Sequence, residues 1–162
     1  MIISLIVAID QNYAIGREGD QLAYISDDLK RFKQLTSGHT IVMGRKTFKA
    51  LPKGALPNRR NIVLTRQPHL SFTGCETAGS VQEVLDLCKD NKEIFIIGGG
   101  EIYNLFFPLA NRIYLTRIHH CFENTDTWFP NIITGQWHQT NFEGPFTNSK
   151  SGLVYSFETL ER

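Results

Sequence analysis

The chain has 162 residues, of which 41% are hydrophobic and 20% are charged. This length allows one well-filled core and excludes two ordinary domains, so we expect a single domain over residues 1–162. The 17 basic and 16 acidic residues give a net charge of +1, which excludes an overall field that would attract nucleic acid or an anionic membrane surface.

The cysteines and the first residues of the chain indicate its compartment. Cys75, Cys88 and Cys121 are odd in number and include no C-x-x-C pair, which argues against a disulfide framework and a zinc site. The apolar stretch from Met1 to Ile9 is followed by Asp10, lacks a basic segment and is far shorter than a membrane span. We therefore expect reduced thiols, a cytoplasmic location and no membrane association.

Short apolar runs alternate with helical patterns along the chain. The runs predict strands at Ile2 to Ile9, Thr40 to Met43, Asn61 to Leu64, Glu93 to Ile97, Arg112 to His119 and Leu153 to Leu160. Several runs are continuously apolar, which is typical of strands buried on both faces. The alternation predicts an α/β fold with a largely parallel sheet, and turn residues from Asn148 to Gly152 predict a closing hairpin between Trp137 and Leu160.

Helices are predicted between these strands, at Ser26 to Leu35, Ser80 to Cys88 and Glu101 to Phe107. Ser26 and Ser80 are expected to be N-caps, with acidic residues following in each first turn. The second helix also has a Glu at the capping-box position, Glu83. The inward-facing residues are expected to be Leu29, Phe32 and Leu35 on the first helix and Val81, Val84, Leu85 and Cys88 on the second.

Three consecutive glycines follow the predicted strand at Glu93 to Ile97. Gly98, Gly99 and Gly100 would let the backbone approach a ligand where a Cβ would block it, and the helix that follows favours an anion such as a phosphate. A plain tight turn would account for the glycines equally well. In α/β sheets, ligands bind beyond the carboxyl ends of the strands, so we expect the loop from Ile15 to Gln21, the turn at Gly44 and the glycine run to converge on one cleft.

Asp28 is the candidate carboxylate. It precedes Leu29 by one residue and Phe32 by four, at the edge of the apolar face of its helix. In an apolar pocket its pKa would be raised, and its two oxygens could bind a planar pair of N–H groups. The alternative is that Asp27 and Asp28 only favour the helix dipole.

Clustered cations suggest an anionic ligand. Arg45 and Lys46 open a predicted helix, where cations are unfavourable without an anionic partner, although solvent alone could serve them. Arg59, Arg60 and Arg66 flank one predicted strand, and arginine binds carboxylates and phosphates through paired N–H groups. At least one of them, Arg60 first, is expected to be an ordinary exposed residue.

Seven motifs follow one another in a fixed order and spacing along the chain. They are I-G at Ile15–Gly16, D-L-K-R-F-K-Q-L-T at Asp28 to Thr36, V-M-G-R-K-T at Val42 to Thr47, L-P-N-R-R-N at Leu56 to Asn61, I-I-G-G-G-E-I-Y at Ile96 to Tyr103, Y-L-T at Tyr114 to Thr116, and D-T-W-F-P at Asp126 to Pro130. Together they make the chain resemble bacterial dihydrofolate reductase over nearly its whole length. With the element pattern, the resemblance implies an α/β three-layer sandwich: a mixed, mostly parallel sheet of about eight strands, about four flanking helices and a C-terminal antiparallel hairpin.

The resemblance implies NADPH-dependent reduction of 7,8-dihydrofolate, with hydride passing to C6 of the pterin and a proton reaching N5 through water. Asp28 would bind the pterin amino group and ring N–H, supported by Thr116, and Arg59 would pair with the glutamate α-carboxylate. The implied catalytic residues are Asp28 and Thr116. The implied substrate-binding residues are Ile6, Ala8, Asp28, Leu29, Phe32, Leu51, Leu56, Arg59, Ile97 and Thr116.

The family's cofactor site maps onto the glycine run and the cation clusters. The resemblance implies a cis peptide between Gly98 and Gly99, and recognition of the NADPH 2′-phosphate by Arg45 and Arg66. The implied cofactor-binding residues are Ala8, Ile15, Gly16, Gly44, Arg45, Lys46, Thr47, Leu64, Thr65, Arg66, Ile97, Gly98, Gly99, Gly100, Glu101, Ile102 and Tyr103.

The chain departs from the family pattern ahead of Asp28. Relatives usually carry Pro-Trp six and five residues before the acid, where this chain has Leu22 and Ala23. In relatives, that Trp helps to hold a water beside the substrate. The sequence therefore leaves undecided how this chain orders that water and closes the loop, and Tyr24 is the candidate to fill part of the space that the Trp would occupy. Glu101 stands where relatives often have Arg, and it should weaken the positive field around the cofactor.

Two other functions fit parts of the same pattern. A related reductase acting on a pyrimidine or another pteridine would share the fold, and a nucleotide-binding regulatory module could keep the cofactor site without catalysis. Asp28 with Arg59 favours folate. His119 and His120 point to opposite faces of a strand, so no metal is expected there. Asp126 to Pro130 is interpreted as structural or as a distant loop contact, and the expected protein is a monomer that binds dihydrofolate and antifolate-like molecules.

Overall fold

The computed structural model describes residues 1–67 and 69–162, and over these residues the chain forms eleven strands and four α-helices. The strands are β1 (Ile2–Ile9), β2 (Ala14–Arg17), β3 (Asp20–Gln21), β4 (Thr40–Gly44), β5 (Arg60–Leu64), β6 (Cys75–Ala78), β7 (Glu93–Gly98), β8 (Arg112–Ile118), β9 (Thr127–Trp128), β10 (His138–Thr147) and β11 (Val154–Glu161). The helices are α1 (Ser26–Thr36), α2 (Arg45–Ala50), α3 (Val81–Leu87) and α4 (Gly100–Phe106), and a 3-10 turn follows at Phe107–Leu109.

Eight strands make one mixed sheet in the order β10-β11-β8-β1-β7-β4-β5-β6. The six strands from β8 to β6 in this order pair in parallel, whereas β11 pairs antiparallel with β8 and with β10. The predicted α/β fold with a mostly parallel sheet and a C-terminal antiparallel hairpin is therefore confirmed. A small antiparallel sheet of β3, β2 and β9 was not predicted.

The helices cover both faces of the large sheet, as a three-layer sandwich requires. On one face, the odd-numbered residues of β1 pack with Val84 of α3 and with Ile102 and Phe106 of α4. On the other face, Ile6 packs in a cluster that includes Phe32 of α1 and Phe48 of α2. Alternate side chains of the parallel strands enter opposite cores, which is why those strands are continuously apolar in sequence. Within the described residues, no helix combines the length and apolarity that crossing a bilayer needs.

The cap of α1 differs from the prediction. The N-cap position belongs to Ile25, which makes no side-chain cap hydrogen bond, and Ser26 is the first helical residue. Ile25 is 2% exposed and packs against Ile118, Tyr155 and Phe157, so apolar burial anchors the start of α1 where a hydroxyl cap was expected.

The cap of α3 matches the prediction, whereas the end of this helix differs by one residue. Ser80 Oγ accepts a hydrogen bond from the Glu83 N–H at 3.1 Å, while the Glu83 carboxylate accepts from the N–H of Gly79 at 2.7 Å. The helix ends at Leu87, one residue earlier than predicted, and leaves Cys88 as its C-cap.

Other predicted bounds shift by one or two residues. Helix α4 spans Gly100–Phe106 because the 3-10 turn at Phe107–Leu109, which contains Pro108, begins where the prediction ended the helix. Strand β8 ends at Ile118, before His119. Strands β6, β9 and β10 were not bounded by the sequence, since β6 and β9 are very short and every residue of β10 is exposed.

The sheet order brings the candidate loops together. Strands β1, β7 and β4 are adjacent and parallel, so their carboxyl ends lie at the same edge. That edge carries the chain leaving β1, the glycine run after β7 and the turn at Gly44. The predicted convergence of these three segments is therefore observed.

Close packing at Gly44 fixes helix α4 against this edge. A Cβ added at Gly44 would lie 2.9 Å from Ile102 Cγ1, closer than carbon atoms normally approach. The φ angle of Gly44 is −82°, so the demand for glycine comes from packing rather than from backbone conformation.

We predict that Gly44→Ala destabilises the protein by about 1 to 3 kcal/mol, because an added methyl group overpacks a filled site. Chemical denaturation measures the loss. In an Ile102→Ala background, where Cγ1 is absent, the same substitution should cost much less, and an equal cost in both backgrounds would contradict the packing argument.

Candidate active site

Asp28 is joined to the central sheet by a hydrogen bond. It lies in the first turn of α1, and Thr116 of β8 donates its hydroxyl to Asp28 Oδ1 at 2.5 Å. Thr116 is 2% exposed and pairs in register with Ala8 of β1. Among the described residues none bonds to Asp28 Oδ2, and Oδ1 can accept a second hydrogen bond beside that of Thr116, so both carboxylate oxygens can accept from a ligand.

Burial dominates the electrostatics of Asp28. It raises the pKa of the carboxyl above its ordinary value of 3.8, although the hydrogen bond from Thr116 and the positive charge of Arg31 act in the opposite direction. The predicted rise is confirmed. A carboxylate whose charge is poorly solvated gains strongly from N–H groups that bind it directly.

Asp27 differs sharply from its neighbour. It is exposed, and its Oδ2 accepts a hydrogen bond from the hydroxyl of Tyr155 at 2.8 Å. Burial, and after it this hydrogen bond, raises the pKa of Tyr155 to about 12. Of the two acids in the first turn, Asp27 therefore bonds to the C-terminal hairpin and Asp28 to the central sheet. The crevice is the surface beside Asp28 where α1 meets strands β1 and β8.

Most of the predicted apolar wall belongs to one cluster. Ile6 is 8% exposed and packs with Phe95 and Met43 at its centre. The partly buried residues around them include four predicted wall residues: Phe32, Leu51, Leu56 and Ile97. Two predicted residues lie elsewhere: Ala8 packs in the neighbouring cluster with Ala23, and Leu29 is 44% exposed instead of facing inward with Phe32 and Leu35.

Arg59 stands at the end of α1 beside this wall. Its Nη1 donates to Thr36 Oγ1 at 3.1 Å and its Nε to the carbonyl of Pro57 at 2.9 Å, and its guanidinium lies 6.0 Å from the ring centre of Phe32. Partial burial lowers the pKa of this guanidinium, and no carboxylate among the described residues pairs with it. Arg59 is thus positioned by neutral acceptors, and no described residue neutralises its charge.

Arg60 is not the ordinary exposed arginine that was expected. Its Nη2 donates to Glu76 Oε1 at 2.8 Å, its Nε donates to Glu76 Oε2, and its Nη1 donates to the carbonyl of Leu87 at 2.9 Å. It ties β5 to β6 and to the end of α3, away from the crevice. The sequence prediction of an exposed Arg60 free in solvent is therefore wrong, because the side chain is held in an ion pair with Glu76.

The glycine turn after β7 is tightly packed. Gly98 has a φ of +119°, the peptide bond from Gly98 to Gly99 is cis as the family resemblance implied, and a Cβ on Gly98 would lie 3.1 Å from the ring of Tyr103. The buried Tyr103 hydroxyl donates to the carbonyl of Ile6 at 2.7 Å, and burial raises its pKa. The turn is thereby fixed against β1.

The predicted phosphate-binding residues gather around this turn. Gly44 pairs in register with Leu64, so Arg45 and Thr65 leave adjacent strands side by side. A Cβ on Gly99 would lie 3.5 Å from Thr47 Oγ1, which puts the start of α2 beside the glycines. Among the described residues Arg45 and Lys46 have no hydrogen bond or ion pair, whereas Arg66 Nη2 contacts Glu101 Oε1 at 2.8 Å.

The loop after β1 lies over the glycine turn. Its strand β2, which includes Ile15 and Gly16, pairs with β9, and a Cβ on Gly100 would lie 2.6 Å from Thr127 Cγ2. Asp126 Oδ2 accepts a hydrogen bond from the N–H of Glu18 at 2.8 Å. Asp126 therefore makes the distant loop contact that was one of its two interpretations.

The departure from the family pattern is visible ahead of α1. Leu22 is 8% exposed, and Ala23 packs partly buried with Ile118 and Tyr155. Tyr24 is 62% exposed and its hydroxyl bonds to Asp20. Tyr24 therefore points away from the space it was expected to fill.

Sequence reasoning missed Arg31. Its guanidinium lies 4.6 Å from the ring centre of Phe157 and lines a cavity of about 540 Å³ between α1 and the C-terminal hairpin. It follows Asp28 by three residues, and that spacing on a helix was the signal that could have identified it as the cation nearest the acid. His119, considered for a metal, instead has Nε2 3.1 Å from Ser156 Oγ.

Comparisons with known proteins identify the family. A family model described as dihydrofolate reductase matches residues 2–162. The chain is 42% identical over 160 residues to the dihydrofolate reductase of Bacillus subtilis (strain 168), covering 99% of this chain and 94% of that one. It is 41% identical over 160 residues to the dihydrofolate reductase of Staphylococcus haemolyticus, covering 99% and 95%.

A solved structure agrees with these relatives. The dihydrofolate reductase from Enterococcus faecalis, complexed with NADP(H) and RAB-propyl, superposes with a TM-score of 0.89 at 33% identity, covering 99% of this chain and 96% of that one. The sequence motifs, the fold and the arrangement of the crevice point the same way. The chain belongs to the dihydrofolate reductase family.

Proposed function

We propose that the crevice beside Asp28 is where this dihydrofolate reductase binds and reduces its substrate. The reaction is the NADPH-dependent reduction of 7,8-dihydrofolate to 5,6,7,8-tetrahydrofolate, in which pterin C6 receives a hydride and N5 a proton. The observation that carries the proposal is the half-buried Asp28 carboxylate, bonded on one oxygen to Thr116 at the edge of the sheet where the glycine turn also lies.

Asp28 orients the pterin. Its ionised carboxylate accepts hydrogen bonds from the pterin amino group and the adjacent ring N–H, which lie in one plane at the spacing of two carboxylate oxygens. Thr116 holds the carboxylate in that plane from the sheet. Orientation matters because hydride transfer requires C6 to lie within near-contact distance of the donor carbon.

The apolar wall and Arg59 bind the rest of the substrate. Phe32, Leu51 and Leu56 present carbon surface to the pterin and the benzoyl ring. Arg59, held by Thr36 and Pro57 and lacking an acidic partner among the described residues, pairs with the glutamate α-carboxylate. The wall excludes water from the flat rings and leaves the charged tail at the mouth of the crevice.

The residues around the glycine turn fit a phosphorylated dinucleotide. Tyr103 and Thr127 occupy the space that a Cβ would take at Gly98 and Gly100, so Gly99, beside Thr47, is the glycine whose missing Cβ leaves room for a ligand. Arg45 and Lys46 supply cations that no described residue neutralises. Thr47, Thr65 and Arg66 add donors beside them. When bound there, NADPH supplies the hydride, and the chain supplies its orientation next to Ile6 and Ile97.

The proton for N5 reaches the pterin from water in this proposal, with Asp28 favouring its arrival through its negative charge. Neither Ala23 nor the outward-facing Tyr24 offers a side-chain donor at the position ahead of α1. The ordering of that water therefore depends on Asp28 and on backbone groups.

We also propose that the enzyme is a single-domain, cytoplasmic monomer that does not act on nucleic acid. The large sheet contains strands from both ends of the chain, β1 and β11. Cys75, Cys88 and Cys121 are free thiols, as expected in a reducing compartment, and the net charge is only +1. Sedimentation equilibrium would reveal any dimer.

Asp28→Asn should reduce turnover at neutral pH by about a hundredfold or more, because an amide cannot stabilise positive charge on the pterin. Following NADPH absorbance with dihydrofolate over a range of pH measures the loss and the altered pH profile. Asp27→Asn is the matched control and should retain near-normal turnover. A parent protein that oxidises no NADPH above background, or an Asp28→Asn variant with the parental rate, would contradict the proposal.

Asp28→Asn should also stabilise the fold at pH 7. Burial raises the pKa of Asp28 in the folded state above the unfolded value of 3.8, so the ionised side chain costs stability as pH rises through the folded pKa, and the cost is absent below the unfolded pKa. Melting temperatures should differ at pH 7, by about 2 to 4 °C for each kcal/mol, and converge near pH 4. A gap that does not change with pH would refute the buried-charge explanation.

Arg45→Ala and Arg66→Ala should each weaken the preference for NADPH over NADH, by roughly tenfold where the arginine forms paired hydrogen bonds to the 2′-phosphate. The ratio of kcat/KM for the two cofactors is the measurement. Lys89→Ala removes the same charge from an exposed position next to α3 and should leave the ratio unaltered. Equal use of both cofactors by the parent enzyme would already refute these roles.

A further inference from the structure

We propose that Glu101 is a specificity-determining residue that lowers the preference for NADPH over NADH by acting as a built-in counter-ion of Arg66. The proposal rests on the cofactor site proposed above. It assigns to Glu101 an effect on one chemical group of the ligand, the 2′-phosphate, because that phosphate is what distinguishes NADPH from NADH.

The ion pair is direct and lies at the surface. Arg66 Nη2 contacts Glu101 Oε1 at 2.8 Å, and the two side chains are 92% and 69% exposed. Arg66 follows the carboxyl end of β5, and Glu101 is in the first turn of α4. The pair therefore spans the edge of the sheet from the end of one strand to the helix that follows the glycine turn.

Packing keeps the backbone of Glu101 within reach of Arg66. The next residue, Ile102, is 8% exposed and packs so closely on Gly44 that a Cβ there would lie 2.9 Å from it. Gly44 in turn pairs in register with Leu64, two residues before Arg66. Helix α4 and the chain after β5 are thus fixed relative to each other, which keeps Glu101 close to Arg66.

A carboxylate and a phosphate bind the same donors of a guanidinium. For Arg66 to bind a 2′-phosphate, Glu101 must release its donor or share it, and the carboxylate then lies near a second negative group. A cofactor without the 2′-phosphate does not meet this competition. The cost is modest because both side chains are exposed to solvent, where ion pairs are weak and salt screens them.

Arg45 is not opposed in this way. It is half-buried, and no acidic residue of the described chain pairs with it. The proposed phosphate site therefore contains one unopposed arginine and one that is already neutralised. Glu101 reduces the share of cofactor discrimination that Arg66 can supply.

Glu101→Gln tests the proposal, because it keeps the size of the side chain and removes its charge. Dissociation constants for NADPH and NADH, measured by quenching of protein fluorescence, should show NADPH binding about two- to fivefold tighter while NADH is little changed. Raising the salt concentration should shrink this gain. Asp90→Asn makes the same change in net charge at an exposed position after α3, and it should alter neither constant.

An Arg66→Gln background separates the counter-ion from a general field effect. In that background, Glu101→Gln should give a much smaller gain in affinity for NADPH. An equal gain in both backgrounds, equal tightening of both cofactors, or no change in the NADPH-to-NADH ratio would overturn the assignment. These failures differ from failure of the proposed function, in which the parent enzyme itself would not oxidise NADPH with dihydrofolate.

Discussion

The hydrogen bond from Thr116 to Asp28 is the interaction on which the crevice depends. It fixes the first turn of α1 to the buried strand β8, and so it sets both the position of the carboxylate and the width of the space between helix and sheet. The same contact keeps a charged group where water solvates it poorly, which raises its pKa. An ionised carboxylate at that position costs stability, a pattern that is common at active sites.

The glycine turn depends on close packing at positions where glycine has no Cβ atom. Where β4 and β7 end, glycine removes a Cβ that would collide with Ile102 at Gly44, with Tyr103 at Gly98 and with Thr127 at Gly100. Helix α4 and the loop after β1 can therefore pack directly against the turn. Because β1, β7 and β4 are parallel neighbours, the carboxylate and the glycine turn open at one edge.

The sequence alone predicted the strands whose composition is set by burial on both faces of the sheet. The apolar strands β1, β4, β5 and β7 agree within one residue, because a run buried on both faces has a distinctive composition. The bounds of the exposed strand β10 and the cap at Ile25 were not predicted, since solvent tolerates varied residues and burial replaced a hydroxyl cap. The roles of Arg60 and Glu101 depend on side chains that meet from separate elements, and no local pattern encodes such meetings.

The most direct measurement of the central claim is a ¹³C NMR titration of the Asp28 carboxyl carbon, assigned by its loss in an Asn variant. The account predicts a midpoint above that of exposed aspartates, and a large shift of this resonance when folate binds in the presence of NADP⁺. A midpoint near the ordinary value of about 4, with a resonance indifferent to folate, would contradict a half-buried carboxylate that binds the pterin.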